Sequence, residues 1–317
     1  MQPEADDVHR VDGLLRVLAA HDEISRIDDL RAAGISSAEL RRALRQGAAT
    51  RVRTGIVASA NCAPEIRDAA HVGGRLAGAS AARYLGLWHP PHTRLVIEVP
   101  RGTHCSTRTA GAVILRGPSG PRRVGCSPAS DIVVHVLRTE PLPVAIAIID
   151  SALARGAVVP TDLQRVSESL SRSRRSQLAL VDGRSESGTE SVVRVALALA
   201  GIIAVPQVRI PLTRASRVDL VVGDRLVIEC DSRAFHTDPD AVLRDRERDL
   251  QLIRLGFLVV RVPYAAAMFD LGGVVSAIQR MTDAGLHLDR AAPIPLDTSA
   301  RLPRVDRIRA VATLAAR

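Results

Sequence analysis

Two short apolar runs joined by a glycine turn, the first entered by one acid and the second carrying two at strand spacing, constrain this chain most. They lie within RVDLVVGDRLVIECD, from Arg217 to Asp231. Side chains alternate faces along a strand, so Glu229 and Asp231 point the same way. Val227 shares their face, and Leu226 and Ile228 take the other. Leu220, Val221 and Val222 form the preceding strand, with Asp219 at its entry. The turn at Gly223-Asp224 is short enough for a hairpin, which brings Asp219 close to Glu229 or Asp231. Acids gathered at one spot repel one another unless a cation or protons intervene. Oxygen-only donors suit Mg²⁺ or Mn²⁺. Such an ion polarises a phosphate and lowers the pKa of a bound water. The spacing therefore points to a divalent-metal site of the kind that phosphodiester cleavage needs.

The flanking segments add candidates. His236 follows Asp231 by five residues and is read either as a surface histidine or as a general acid or base. A helix is predicted from about Asp240 to Leu255, stopped by Gly256. On it Asp245 is spaced to pair with Arg248, the arrangement of a solvated, salt-bridged face. Upstream, Ser187-Gly-Thr-Glu190 has the spacing of a capping box ahead of an apolar helix. A cap and a place at the metal site are both open to Glu190.

Taken together these motifs resemble the PD-(D/E)XK superfamily of restriction-type endonucleases, and more closely the very-short-patch mismatch repair endonucleases and their bacterial kin. The resemblance covers roughly residues 185–285. It rests on Glu190, Arg217-Val-Asp219, Glu229-Cys-Asp231, His236, Asp245-Arg-Glu-Arg-Asp249, Gly256-Phe257 and Arg261, in that order. It implies that Asp219 is the main metal ligand with Glu229 nearby, and that the backbone carbonyl of Cys230 is a further ligand. It also implies that Glu190 and Asp231 belong to the acid constellation. His236 would assist proton transfer, and Arg248 or Arg261 would stabilise charge on the phosphate. Two departures stand out. The superfamily often has Lys where Asp231 stands, and this chain has no lysine, all 43 Lys+Arg residues being Arg. The close kin usually place Gly after that Asp, where this chain has Ser232.

The first sixty residues read as helices followed by a hairpin. Val11–Ala20 is predicted as a helix, about Ile27–Ala33 as a second stopped by Gly34, and a third, capped by Ser36 or Ser37, runs to about Gln46. Leu40, Ala43 and Leu44 share one face of that third helix. Thr50 to Ala58 alternates like a wing. Acids crowd residues 4–39, whereas residues 40–60 hold Arg41, Arg42, Arg45, Arg51 and Arg53 and no acid. On a winged helix-turn-helix these arginines would meet phosphates, which is the favoured reading; the alternative is a solvated basic face on a protein-interaction module. The segment ISRIDDLRAAGISSAELRRALRQGAATRVRTGIVAS resembles the N-terminal domain of the AbiEi-type antitoxins of type IV toxin–antitoxin systems. That resemblance implies promoter DNA and a nucleotidyltransferase-like toxin as partners. GASAARYLGLW, residues 78–88, also recurs in AbiEi-like proteins.

Between these blocks the pattern predicts a helix over Leu76–Tyr84, strands at Leu95–Val99 and Gly111–Leu115, and helices at Asp131–Leu137 and Pro143–Ala154. Ser167–Gly188, rich in Ser and Arg, reads as a linker or exposed helix end. His71, His89, His92 and His104 have no ligand spacing. Cysteines 62, 105, 126 and 230 lack paired metal-ligand spacing, no signal peptide is visible and no apolar run spans a bilayer, so a reducing cytoplasm is expected. A net charge of +9 favours a polyanionic partner such as DNA.

The expected fold class is an α+β or α/β multidomain chain. A winged helix-turn-helix would occupy 1–62, a mixed antitoxin-like middle domain with linker 63–184, and an endonuclease-like αβ domain with a central mixed sheet 185–290, with a tail at 291–317. The expected activity is Mg²⁺- or Mn²⁺-dependent cleavage or nicking of DNA. The alternative is a non-catalytic DNA-binding regulator or antitoxin carrying a degenerate nuclease fold.

Overall fold

The computed structural model describes residues 4–91, 93–103, 111–120, 123–212, 216–231 and 239–288 of the chain. His236, Ser232, His92, His104, Cys105 and the tail at 291–317 lie outside them. Helices and several small sheets are mixed along the chain, as an α+β chain requires. Two compact units emerge, residues 1–86 with 91–135 and residues 87–90 with 136–317.

The first unit begins with helix α1 (Glu4–Ala19), strand β1 (Ile24–Arg26), α2 (Ile27–Ala32), α3 (Ser37–Arg45), β2 (Ala49–Arg53) and β3 (Ile56–Ser59). Ser36 accepts from the Glu39 N–H at 3.2 Å and Glu39 returns a contact to the Ser36 N–H at 2.8 Å, so α3 starts with a full capping box. Leu40, Ala43 and part of Leu44 turn inward onto Leu14, Leu18 and Leu30. The three strands pair antiparallel in the order β1-β3-β2.

The rest of that unit contains α4 (Pro64–His71), β4 (Arg75–Leu76), α5 (Gly78–Tyr84), β5 (Val96–Pro100), β6 (Val113–Gly117) and the start of α6 (Ala129–Thr139). The helix predicted from Leu76 begins only at Gly78. Leu76 is held extended instead, its N–H donating to Gly125 and its carbonyl accepting from Ser127. Beside it lies an ion network centred on the buried Arg75 and Glu98. Arg75 donates to Glu98 at 2.6 Å and to Asp131 at 2.5 Å, and His135 Nε2 lies 3.6 Å from the other Glu98 oxygen. Burial works to raise the Glu98 pKa, but the hydrogen bonds from His135 and Arg75 outweigh it and bring it down to about 2. Gly117 leaves room for this carboxylate, since a Cβ there would sit 2.3 Å from Glu98 Oε1.

The second unit continues with α7 (Leu142–Ala154), α8 (Pro160–Ser169), α9 (Arg172–Gln177), α10 (Gly188–Leu199), β7 (Ala204–Ile210), β8 (Ser216–Val222), β9 (Leu226–Cys230), α11 (Pro239–Arg254), β10 (Leu258–Val262), α12 (Tyr264–Phe269) and α13 (Leu271–Asp283). Its sheet runs β10-β9-β8-β7, antiparallel except that β10 lies parallel to β9, the connection passing through α11. Leu226 and Ile228 enter one core with Val193, Leu197 and Ile278, whereas Val227 enters another with Leu252 and Phe257. The period-two reading of β9 is thus seen as two separate cores. Gly223 opens the hairpin turn with φ +60°, and the carbonyl of His287 accepts from the Asp224 N–H at 2.8 Å.

The segment read as a linker is more ordered than its Ser and Arg content suggests. It contains α9, and its end is fastened by a buried carboxylate. Asp150 accepts from the Asp182 N–H at 2.7 Å, the Ser191 hydroxyl at 2.7 Å and Arg194 at 2.8 Å. Arg194 also donates to the Leu180 carbonyl at 2.9 Å. One aspartate on α7 so binds the segment and α10 together, because a charge this deep needs every donor within reach. The indole of Trp88 lies against Gly188, where a Cβ would fall 2.1 Å from the ring. Only glycine lets the first turn of α10 approach that closely.

Candidate functional site

The register of the four-stranded sheet lines up one polar row. Leu220 pairs with Ile228, so Asp219, one step on, falls opposite Glu229; Arg261 pairs with Glu229 on the other side. Pro206 pairs with Leu220 and Val208 with Val218, which sets Gln207 opposite Asp219. The row therefore reads Arg261, Glu229, Asp219, Gln207 across β10, β9, β8 and β7. Glu229 and Gln207 are buried in the row, Asp219 is half-buried and Arg261 is exposed, while the same strands supply both cores.

Each acid has a distinct environment. Asp219 accepts from the Cys230 N–H at 2.8 Å, and burial raises its pKa against that bond and against the Arg248 charge. Glu229 is 5% exposed; one of its oxygens lies 3.0 Å from Arg248 Nη2. Burial first, and the Asp219 charge second, push its pKa up to about 7. Glu190, on the first turn of α10, is 1% exposed. Its Oε2 accepts from the Glu186 N–H at 2.9 Å and from Gln207 Nε2 at 3.1 Å, while its Oε1 is buried without a hydrogen bond. Burial, then Asp219, raise its pKa to about 8. The Ser187 hydroxyl accepts from the Glu190 N–H at 3.1 Å, so half of the predicted capping box forms. The glutamate does not return the contact to Ser187 but turns to Glu186 and Gln207.

Other predicted residues fall elsewhere. Asp231 is exposed, and its carboxylate lies 3.6 Å from Arg261 Nη1. The buried Cys230 side chain packs in the core with Val193 and Leu197, and burial holds its thiol well above the ordinary thiol pKa. Arg248 reaches Glu229 and donates to the Arg217 carbonyl, and Arg217 pairs with Glu186. Arg261 grips Asp249 with two bonds of 2.8 and 2.9 Å. In the other unit Arg41, Arg45, Arg51 and Arg53 are exposed and Arg42 is half-buried. Arg41, Arg42 and Arg45 ride on α3, and Arg51 and Arg53 on β2, which packs beside it.

Two features were not anticipated from sequence. Gln207 has a left-handed backbone, φ +58°, inside β7. Pro206 before it is the signal that could have marked an irregular edge strand. The Asp150 cluster that anchors α10 had no sequence signal, because Asp182, Ser191 and Arg194 lie 32 to 44 residues from Asp150.

The donor chemistry fits a hard divalent cation. The donors are all carboxylate oxygens, a Glu190 oxygen is buried and unbonded, and burial with the Asp219 charge raises the pKa of both glutamates. Among the described residues no three His, Cys, Asp or Glu side chains are grouped so as to hold a metal ion. A cation here would take fewer protein ligands and complete its shell with water, as Mg²⁺ commonly does. Asp219, with Glu229 or Glu190, would hold it.

No family model matches the chain. It is 30% identical over 168 residues to the uncharacterized proteins MT2308 and Rv2248 of Mycobacterium tuberculosis, strains CDC 1551 and H37Rv. The match takes in 50% of this chain and spans 59% of the length of those curated relatives. A crystal structure of the RV2827C protein from M. tuberculosis aligns over 58% of this chain and 75% of its own, with a TM-score of 0.24 and 17% identity.

Proposed function

We propose that the chain is a DNA-acting protein in which the second unit carries a metal-dependent phosphodiesterase site and the start of the first unit is a winged helix that binds the duplex. The observation that carries this reading is the row of the half-buried Asp219 and the buried Glu229 beside the buried Glu190, where burial first and the Asp219 charge second raise the pKa of both glutamates. A protein gains nothing in stability from such a row; a cation or a reacting proton gives it a use. The order of strands and the mixed sheet support the restriction-endonuclease-like fold. The order helix, strand, two helices and hairpin, with strands β1-β3-β2, supports the winged helix.

When bound, Mg²⁺ or Mn²⁺ would polarise the phosphate and acidify an attacking water. Asp219 is held for that ion by the Cys230 N–H, and Glu229 stands across the hairpin from it. Arg248 neutralises Glu229 and can turn toward a phosphate. Asp231 and Arg261 form an exposed pair at the rim, where a backbone phosphate could be met, and His236 follows in sequence as the proton carrier. Arg41, Arg42, Arg45, Arg51 and Arg53 would fix the duplex through its phosphates.

A second reading draws on the Arg248–Glu229 ion pair and on the want of three grouped ligands among the described residues. In it, the nuclease-like unit is a scaffold of a non-catalytic regulator or antitoxin, with a nucleotidyltransferase-like toxin as partner. Supercoiled plasmid incubated with Mg²⁺, Mn²⁺ or EDTA, beside Asp219→Ala, separates the two. Metal-dependent nicking lost in the variant supports the enzyme. A retained gel shift with no nicking in any metal supports the regulator.

A further inference from the structure

We propose that Gln207 is a positioning residue for Glu190: its left-handed backbone in β7 aims the side-chain amide at one carboxylate oxygen and so leaves the other free for the cation. This rests on the metal-site reading above. Among the described residues Gln207 is the one non-glycine residue inside a strand with φ in the left-handed region. That conformation is costly for a residue with a Cβ and persists where the surroundings hold it in place. Glycine would adopt it without cost, and asparagine more readily than glutamine. What glutamine adds is reach. Its Nε2 donates to Glu190 Oε2 at 3.1 Å, joining the Glu186 N–H on the same oxygen at 2.9 Å.

Both donors converge on Oε2, and Oε1 receives none although the side chain is 1% exposed. A carboxylate loaded on one oxygen cannot rotate freely, so the bare oxygen keeps one direction. The register places Gln207 opposite Asp219, so the residue that steadies Glu190 also borders the principal acid. The ladder pairs Pro206 with Leu220 and Val208 with Val218 but skips Gln207. The strand thus gives up regular pairing at the one position where its side chain is used.

The test titrates Mn²⁺ into the full chain and reads the free-ion signal by electron paramagnetic resonance, alongside thermal unfolding. Gln207→Asn keeps an amide and tolerates the backbone but is too short to reach Glu190. Supporting groups of this kind are worth roughly ten- to hundredfold in metal affinity, so Mn²⁺ binding should weaken about tenfold with the unfolding midpoint unchanged. Gln207→Gly, which relieves the strain and removes the amide, should weaken it equally and serves if the first variant folds poorly. Unchanged Mn²⁺ affinity in both, or a lowered unfolding midpoint with unchanged affinity of the folded protein, would overturn the inference while sparing the metal site. Absence of Mn²⁺ binding in the native chain, or binding indifferent to Asp219→Asn, would overturn the site reading and this inference with it.

Discussion

The backbone N–H of Cys230 donates to the Asp219 carboxylate at 2.8 Å, so the strand that carries Glu229 also holds in place the acid that repels it. Removing the Asp219 charge should relax both glutamates. In Asp219→Asn the carboxyls of Glu190 and Glu229 should titrate below their native values of about 8 and about 7, because Asp219 is the second cause of each rise after burial. Side-chain carboxyl ¹³C shifts followed against pH check this. Two unmoved titrations would mean that the Asp219 charge reaches neither glutamate.

The same acids tie folding to pH and metal. Their folded pKa values exceed the ordinary 4.5, so between about pH 4.5 and 8 the unfolded chain binds fewer protons than the folded one. Stability of the metal-free protein should therefore fall as pH rises through that window and level off above it. A divalent cation competes with those protons. Millimolar Mg²⁺ should raise the thermal midpoint more at pH 8.5 than at pH 5.5. An equal gain at both would place the bound ion away from these carboxylates.

Arg194→Met would leave Asp150 buried with Ser191 and the Asp182 N–H but without its cation. Breaking a buried pair of this kind costs about 3–5 kcal/mol. Chemical denaturation should show a loss near the lower end of that range, since Asp150, its pKa already raised to about 6 by burial, can take up a proton. A loss below about 1 kcal/mol would class the pair with surface ion pairs.

In the first unit the sign is reversed. Glu98 has a folded pKa of about 2 against the ordinary 4.5, so its contribution is present above about pH 4.5 and disappears as pH falls toward 2. Glu98→Gln should flatten the acid limb of the stability profile and lower stability at pH 7. Gly117→Ala, whose methyl would meet the Glu98 carboxylate, should cost about 1–3 kcal/mol. Urea unfolding at pH 7 and pH 3 reads both.

Much of the second unit was legible because its code is local. Alternation along Leu226–Cys230 and the Gly223 turn fix which side chains share a face, and the hairpin register follows. The caps of α3 and α10 were legible for the same reason, as Ser36 and Ser187 act within one turn. What sequence could not show is long-range. Arg248 has helical spacing to Asp245, but the sheet offers it the more buried Glu229. Arg261 spends its guanidinium on Asp249 once α11 lies beside β10. The Ser- and Arg-rich stretch before α10 reads as a linker until Asp150, about thirty residues earlier, is seen to hold it.

The closeness of Trp88 to Gly188 has an optical consequence. This is the sole tryptophan of the chain, and it lies on the turn that carries Glu190 two residues later. Indole emission reports the polarity and rigidity of its immediate surroundings. Excitation near the red edge of protein absorbance therefore interrogates one helix end and nothing else. Events at the acid row that shift this turn will be visible as a change in colour or anisotropy, with no label introduced.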